Sequence, residues 1–285
     1  MKRLVLAFVV FAMVPLSFAG APRVNAHPSD AAAAFRAKTA AAENVPHTPQ
    51  STTCAFTFSD AKKGLINFCV TANGNIVQLE MPAGVPMVSQ ADHAEGYGIC
   101  DDSSNVSYSD FGGMGDTGNW GAATVLSHTG NSVKIVRTTS DGLWTLTQTI
   151  TRTSGALTSA KVSMALTNNS AGSRTAILVR YADVDAAGVA GNNLDTTQNS
   201  AMAWNSGAFF NPRIGSGTVL QNLTTGHFLS DGFTQNSPLP PDACNPFARV
   251  APALLTDTDG SLMMFYEVTV RSHTTATLTS VYKPR

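Results

Sequence analysis

Apolar side chains recur at every second position over most of the chain beyond residue 50, and this period is the strongest constraint on its fold. Successive residues of a β-strand point to opposite faces of a sheet, so the period predicts strands with one buried face. The clearest segments flank Asn73-Gly74, a dipeptide typical of two-residue hairpin turns because both residues tolerate positive φ. Folding about this turn is expected to pair Val70 with Val77 and Phe68 with Leu79.

A preceding strand extends this hairpin into a meander. Folding around Asp60–Gly64 is expected to pair Phe56 with Phe68 and Phe58 with Ile66. All the apolar rows then lie on one face, as a half-buried sheet requires.

A second hairpin is predicted around Asp141-Gly142, between Ser132–Thr139 and Leu143–Thr153. Further strands are expected at Ala160–Thr167 and Thr175–Asp185, with a C-terminal pair and several less regular segments. The register about Asp141-Gly142 puts five large apolar residues on a common face: Val133, Ile135, Trp144, Leu146 and Ile150.

About a dozen strands with no helical pattern of useful length predict an all-β fold, a large antiparallel two-sheet sandwich of the supersandwich type. We assign residues 51–285 to a single β-sandwich domain. The strand count and length resemble the large two-sheet sandwiches of mutarotase-like and polysaccharide-processing domains. That resemblance concerns the fold, and a fold does not imply a function.

The N-terminus has the order of a secretory signal peptide. Lys2 and Arg3 precede the apolar run Leu4–Val14, and small residues follow, so cleavage is expected after Ala19 or after Ala26. The run is shorter than the roughly 20 residues that span a bilayer, so no membrane span is expected in the mature chain. Residues 20–50, rich in Ala and Pro, are predicted to be a flexible leader. The protein is therefore expected to be secreted or periplasmic.

Composition excludes several functions. Only 13% of residues are charged, and the formal charge of 18 − 19 = −1 becomes 15 − 19 = −4 once residues 1–26 are removed. This balance predicts no nucleic-acid partner. Gly113–Gly118 matches the G-x-G-x-x-G pattern, but an apparent strand rather than a helix follows it, so no dinucleotide cofactor is expected. The chain contains 32 Thr, a residue favoured in strands.

Four cysteines in an exported chain predict two disulfides, with three possible connectivities. Proximity in sequence favours Cys54–Cys69 with Cys100–Cys244. Strand parity opposes the first bond, because the predicted register puts Cys54 and Cys69 on opposite faces unless the strand end frays. We expect the pairing that proximity favours.

Two predicted strands carry candidate catalytic or metal-binding groups. His93, Glu95 and Tyr97 alternate and would share one face, where an imidazole, a carboxylate and a phenol could serve acid–base chemistry. Asp183 and Asp185 also share a face and could hold Ca²⁺ or act as an acid–base pair. The alternative for both strands is an exposed polar face without function. Loop oxygens that could complete a calcium site belong to Asn192, Asn193 and Asp195.

Three further residues are candidates for ligand binding. Tyr181 shares the face of Asp183 and Asp185, whereas Arg180 lies on the opposite, apolar face and would be buried against one of those acids or reach the rim. Trp204 lies beside Asn- and Gly-rich segments, where aromatic rings can stack on sugars. The leading hypothesis is a carbohydrate-binding or carbohydrate-active protein whose partner is a poly- or oligosaccharide. The alternatives are a non-catalytic structural or adhesive protein and a hydrolase of another extracellular polymer.

Overall fold

The chain folds almost entirely into β-strands. The computed structural model describes residues 53–60, 65–88, 95–154, 158–197, 199–205, 217–224, 229–235, 237, 239–248, 250–251 and 254–285. Within these ranges the one helical element is a 3-10 turn at Ala186–Gly188. The strands are β1 (Phe56–Ser59), β2 (Asn67–Val70), β3 (Ile76–Glu80), β4 (Glu95–Asp101), β5 (Val106–Phe111), β6 (Gly115–Asp116), β7 (Thr124–His128), β8 (Ser132–Thr138), β9 (Trp144–Thr153), β10 (Ser159–Asn168), β11 (Arg174–Asp183), β12 (Gly191–Thr197), β13 (Ser200–Trp204), β14 (Gly217–Asn222), β15 (Leu229–Gln235), β16 (Val250–Ala251), β17 (Leu255–Asp259), β18 (Ser261–Val270) and β19 (Thr275–Pro284).

The strands form three antiparallel sheets. A nine-stranded sheet has the order β17-β12-β13-β14-β19-β10-β9-β8-β7, and a seven-stranded sheet has the order β16-β15-β18-β11-β4-β5-β6. The third sheet is β1-β2-β3. One apolar core joins all three, with Leu178 and Tyr266 from the seven-stranded sheet, Leu146 and Leu278 from the nine-stranded sheet and Phe68 from the third. The predicted all-β sandwich class is confirmed.

The hairpin about Asn73-Gly74 forms, but with a different loop. Phe68 pairs with Leu79 as predicted, whereas Val70 pairs with Ile76 because a bulge intervenes. Val77 packs against Cys69 on the other face, so the predicted pairing of Val70 with Val77 is wrong. The loop contains three residues rather than two, and it closes through a backbone hydrogen bond from Thr71 to Asn75 of 2.9 Å.

The first strand keeps its predicted face in a shifted register. Phe56 pairs with Val70 and Phe58 pairs with Phe68, two residues away from the predicted partners. A shift of two residues leaves strand parity unchanged, which is why Phe58 still enters the core.

The Asp141-Gly142 hairpin forms in the predicted register, but only Gly142, and not Asp141, adopts the positive φ of the expected two-residue turn. Val133 pairs with Ile150 and Thr138 with Thr145, the register of a two-residue loop. All five apolar residues predicted to share a face belong to the core. A loop with an even number of residues between Thr139 and Trp144 keeps this register although the turn differs from the one predicted.

Both favoured disulfides are present. Cys54 bonds to Cys69 with a Cα separation of 5.5 Å. Cys54 precedes β1 by two residues, so strand parity does not constrain its direction. Cys100 of β4 bonds to Cys244, with a Cα separation of 4.8 Å.

The Cys100–Cys244 bond ties a strap, residues 239–248, to the outer face of the seven-stranded sheet. Ala243, Cys244 and Phe247 of the strap are buried in a second apolar cluster, whose sheet residues include Tyr181 and Phe265. The cluster is aromatic, and the ring centroids of Phe247 and Phe265 lie 4.8 Å apart. The predicted signal peptide and the leader at residues 20–50 lie outside the described residues. In the part of the chain that is described, no helix has the length and apolarity needed to cross a bilayer.

Candidate functional site

The candidate residues on β11 alternate between the two faces of the seven-stranded sheet. Leu178 and Ala182 enter the core between the sheets, whereas Val179 and Tyr181 enter the aromatic cluster beneath the strap. Arg180 lies on the core face and is fully buried. Tyr181 is fully buried as well, and its ring packs edge-on against Phe111.

Arg180 forms an ion pair with Glu95 inside the sandwich. Its Nε contacts Glu95 Oε1, and its Nη2 donates to Oε2 at 2.6 Å. Arg180 Nη1 donates to Gln148 Oε1 at 2.6 Å, and the Tyr282 hydroxyl donates to Glu95 Oε1 at 2.8 Å. Burial raises the pKa of the Glu95 carboxyl, and the Arg180 charge and the donated hydrogen bonds act in the opposite direction. Because Gln148 and Tyr282 belong to the nine-stranded sheet, this cluster ties the two large sheets together.

A second buried cluster surrounds Tyr97. Arg137 of β8 contacts Asp110, and it donates from Nη2 to Asp116 at 2.8 Å. The Tyr97 hydroxyl donates to the Asn73 carbonyl at 3.0 Å and accepts from Arg137 at 3.4 Å. Burial raises the pKa of the Tyr97 hydroxyl. Arg137 was not predicted, although its parity with the apolar residues of β8 places it on the core face.

Among the described residues, the predicted catalytic pair Glu95 and Tyr97 lies on a different face of the sheet from Asp183. Glu95 and Tyr97 are fully buried on the core face of β4, not on an open sheet face. Asp183 lies two residues from Tyr181 on β11 and therefore shares its face, which is opposite to the core face that holds Glu95. Arg180 therefore contacts Glu95, whereas burial against one of the aspartates or extension to the rim was expected. His93 lies outside the described residues.

The two predicted metal ligands do lie together, with a third acid. Carboxylate oxygens of Asp183, Asp185 and Asp259 lie within 4.8 Å of one another at one edge of the sandwich. Asp183 is buried, Asp185 half-buried and Asp259 exposed. Calcium binds several such oxygens at once. Sequence reasoning missed Asp259 because only the pairing of β11 with β18 brings the end of β17 to this place.

Of the loop side chains expected to complete a calcium site, Asn192 forms hydrogen bonds with the backbone of its own loop. The Asn192 amide donates to the carbonyls of Val184, Val189 and Ala190, and its oxygen accepts from the Ala186 N–H at 3.2 Å. Asn192 therefore shapes the loop, and its side-chain oxygen is already engaged by a backbone donor.

Trp204 lies at the same edge, on the outer face of the nine-stranded sheet. It is half-buried, and its neighbour Ala203 points into the core. Trp204 pairs with Asn193 of β12, and Gly191 of the same strand pairs with Asp259. Strand spacing thus puts Trp204 on the order of 10 Å from Asp259. The Arg285 guanidinium carbon lies 3.6 Å from the centroid of the Trp204 ring. We call Trp204, Asp183, Asp185 and Asp259 the rim site.

Comparison with solved structures identifies proteins of similar fold. A bacterial glucoamylase complexed with acarbose superposes with a TM-score of 0.53 at 13% identity, over 85% of this chain and 34% of that chain. This chain thus spans about a third of the glucoamylase length. A putative aldose 1-epimerase from Escherichia coli K12 aligns with a TM-score of 0.42 at 11% identity, over 82% and 99% of the two chains. A galactose mutarotase-like protein from Lactobacillus casei ATCC 334 aligns with a TM-score of 0.44 at 9% identity, over 81% and 99%.

Sequence comparison adds nothing to this likeness, because no protein-family model and no curated protein matches the chain. At 13% identity the glucoamylase likeness shows a shared fold alone.

Proposed function

We propose that this protein is a secreted carbohydrate-binding or carbohydrate-active β-sandwich protein that engages sugar at the rim site. The observation that carries the proposal is the position of Trp204, a half-buried aromatic ring on an outer sheet face, on the order of 10 Å by strand spacing from Asp259 of the carboxylate cluster. Ligand sites combine an apolar or aromatic surface with a few fixed polar groups. The fold shared with part of a glucoamylase crystallised with acarbose supports a sugar as the ligand. Two disulfides support export, since such bonds persist in oxidising compartments.

Binding is favoured over catalysis. Glu95 and Tyr97 are fully enclosed, so a substrate could reach neither without opening the sandwich. Acid–base chemistry at this edge would rest on the rim carboxylates, of which Asp185 and Asp259 are the more exposed.

Replacing Trp204 with alanine is expected to weaken binding to the preferred polysaccharide at least tenfold. Truncating a central aromatic at a binding site commonly costs about 2 kcal/mol or more. A polysaccharide array identifies the ligand, and isothermal titration gives the affinities. The matched control is Met202→Ala, because Met202 is half-buried on the same face of β13 two residues away. Equal affinities for wild type and Trp204→Ala would refute the proposed site.

We propose that calcium binds Asp183, Asp185 and Asp259. Calcium held by the native state alone stabilises it, by about 2.7 kcal/mol at a hundredfold excess over the dissociation constant. Adding calcium is therefore expected to raise the melting temperature, and a chelator should reverse the rise. Asp259→Asn should remove the response, whereas Asp102→Asn, at an exposed acid in the β4–β5 turn, should keep it. A melting temperature that is unchanged by calcium and by chelator would refute the proposed metal site.

A further inference from the structure

The outer face of the nine-stranded sheet has an unusual charge distribution. The chain carries 19 acidic residues, yet seven of the nine strands of this sheet contain neither Asp nor Glu. Basic residues occur on several of the same strands. These seven strands are β7, β8, β9, β10, β13, β14 and β19.

Four basic residues point outward from this face. Lys134, Lys161 and Arg285 are exposed, and Lys283 is half-buried. Along each strand, side chains alternate between the two faces, and the lysines alternate with residues that enter the core. Arg285, just beyond β19, continues this alternation. Those core residues include Val133 and Ile135 in β8, Val162 in β10 and Tyr282 in β19.

The four basic residues lie on a diagonal line across the sheet. Lys134 is in one row with Thr149 and Ser163, and Lys161 lies two residues from Ser163 along β10. Lys161 pairs with Val281, Lys283 follows two residues further along β19, and Arg285 lies one residue beyond the end of that strand. Strand geometry gives Cα separations of roughly 12, 8 and 7 Å between successive members. We call this line the basic stripe: Lys134, Lys161, Lys283 and Arg285.

The basic stripe ends at Trp204, over which Arg285 is stacked. Hydroxyl groups border the stripe, since β9 presents a threonine at every second position on the same face. Among the described residues, the hydroxyls of Thr147 and Thr149 have no hydrogen-bond partner. The face therefore offers spaced cations, free hydroxyls and one aromatic ring.

We infer that this face binds an acidic polysaccharide laid along the basic stripe, with one end at Trp204. The inference rests on the proposed function and specifies its ligand class. A small anion would use one or two of these cations, whereas a stripe longer than roughly 20 Å matches a polymer. Four cations over more than roughly 20 Å supply much less charge than duplex DNA carries, one charge per about 1.7 Å of helix axis, so nucleic acid is the less favoured partner and is included in the test. A polysaccharide with one carboxylate or sulfate per one or two sugars fits this spacing better, and its hydroxyls can hydrogen-bond the threonines.

The test compares polygalacturonate, uncharged dextran and single-stranded DNA as probes of the full chain. Polygalacturonate is expected to bind at least tenfold more tightly than dextran at low ionic strength. The preference should shrink in about 0.5 M salt, where exposed charges are screened. The double variant Lys134→Glu/Lys161→Glu should lose about tenfold in affinity for polygalacturonate. Arg271→Glu is the matched control, because Arg271 is exposed in the β18–β19 turn away from this face. Unchanged melting temperatures would show that the variants are folded, as expected for exposed lysines.

Three outcomes would overturn the inference. One is equal affinity for polygalacturonate and dextran, and another is no effect of reversing the lysine charges. The third is single-stranded DNA binding as tightly as polygalacturonate. If dextran binding remains and Trp204→Ala abolishes it, the ligand class is wrong while the proposed function stands. If no carbohydrate binds at all, both fail.

Discussion

The Arg180→Met variant is expected to lose about 3–5 kcal/mol of the free energy of unfolding, because breaking a buried ion pair leaves one charge without compensation. In this variant Glu95 would stay enclosed by both large sheets, with the Tyr282 hydroxyl and the Ile76 N–H as its remaining donors. The Gly74 carbonyl and Gln148 Oε1 would each lose a donated hydrogen bond as well.

Urea denaturation of single and double variants measures this effect. Removing both charges with Arg180→Met/Glu95→Met should recover part of the loss, because apolar replacements of a whole buried pair are often tolerated. Arg271→Met, at an exposed arginine, is the control and should change stability by less than about 0.5 kcal/mol. If Arg180→Met stays within 1 kcal/mol of wild type, about the cost of an average substitution, the ion pair does not hold the sheets together.

A Glu95→Gln variant would report on stability as well as on catalysis, because Glu95 is fully buried. In the structure its carboxylate accepts hydrogen bonds from Arg180, Tyr282 and Ile76. A loss of activity in that variant can therefore be assigned to catalysis only if its melting temperature is measured and is unchanged.

Sequence reasoning succeeded where neighbouring residues determine the structure. The Asp141-Gly142 hairpin has the register predicted from its turn signal, and the short span from Cys54 to Cys69 favours their bond. The Asn73-Gly74 turn carries the same kind of signal but forms a three-residue loop, which shifts the register. Its neighbour Asn75 donates from its side chain to Asp110, which lies 35 residues away, and the sequence does not show this contact.

The candidate site was harder to predict because its contacts are long-range. Every residue of β4 is buried, so alternation along that strand could not show which face meets solvent. Glu95 was expected to be exposed because its partner Arg180 is 85 residues away. Asp259 was missed for the same reason. The proximity of Asp183 and Asp185 was predictable because a separation of two residues along one strand is a local signal.

Replacing both Cys100 and Cys244 with alanine is expected to cost about 5 kcal/mol of the free energy of unfolding. The bond spans 144 residues, and a crosslink that closes a long loop removes more entropy from the unfolded chain than a short one. Alanine is the appropriate substitute, since both positions are buried and a serine hydroxyl would lack a partner there. The variant should also hold the strap less firmly, because Phe247 would depend on packing alone.

The matched control is the Cys54→Ala/Cys69→Ala variant, whose bond spans 15 residues and should contribute about 3 kcal/mol. Denaturation of both variants gives the comparison, and binding of a hydrophobic dye reports whether the strap has lifted from the aromatic cluster. Dye binding is expected for the Cys100/Cys244 variant alone, because Cys69 contacts only Val77 in its small apolar cluster. A larger loss from the Cys54/Cys69 variant would contradict the loop-entropy argument. It would mean that the three-stranded sheet, which supplies the Asn73 and Gly74 carbonyls to Tyr97 and Arg180, contributes more to stability than the strap does.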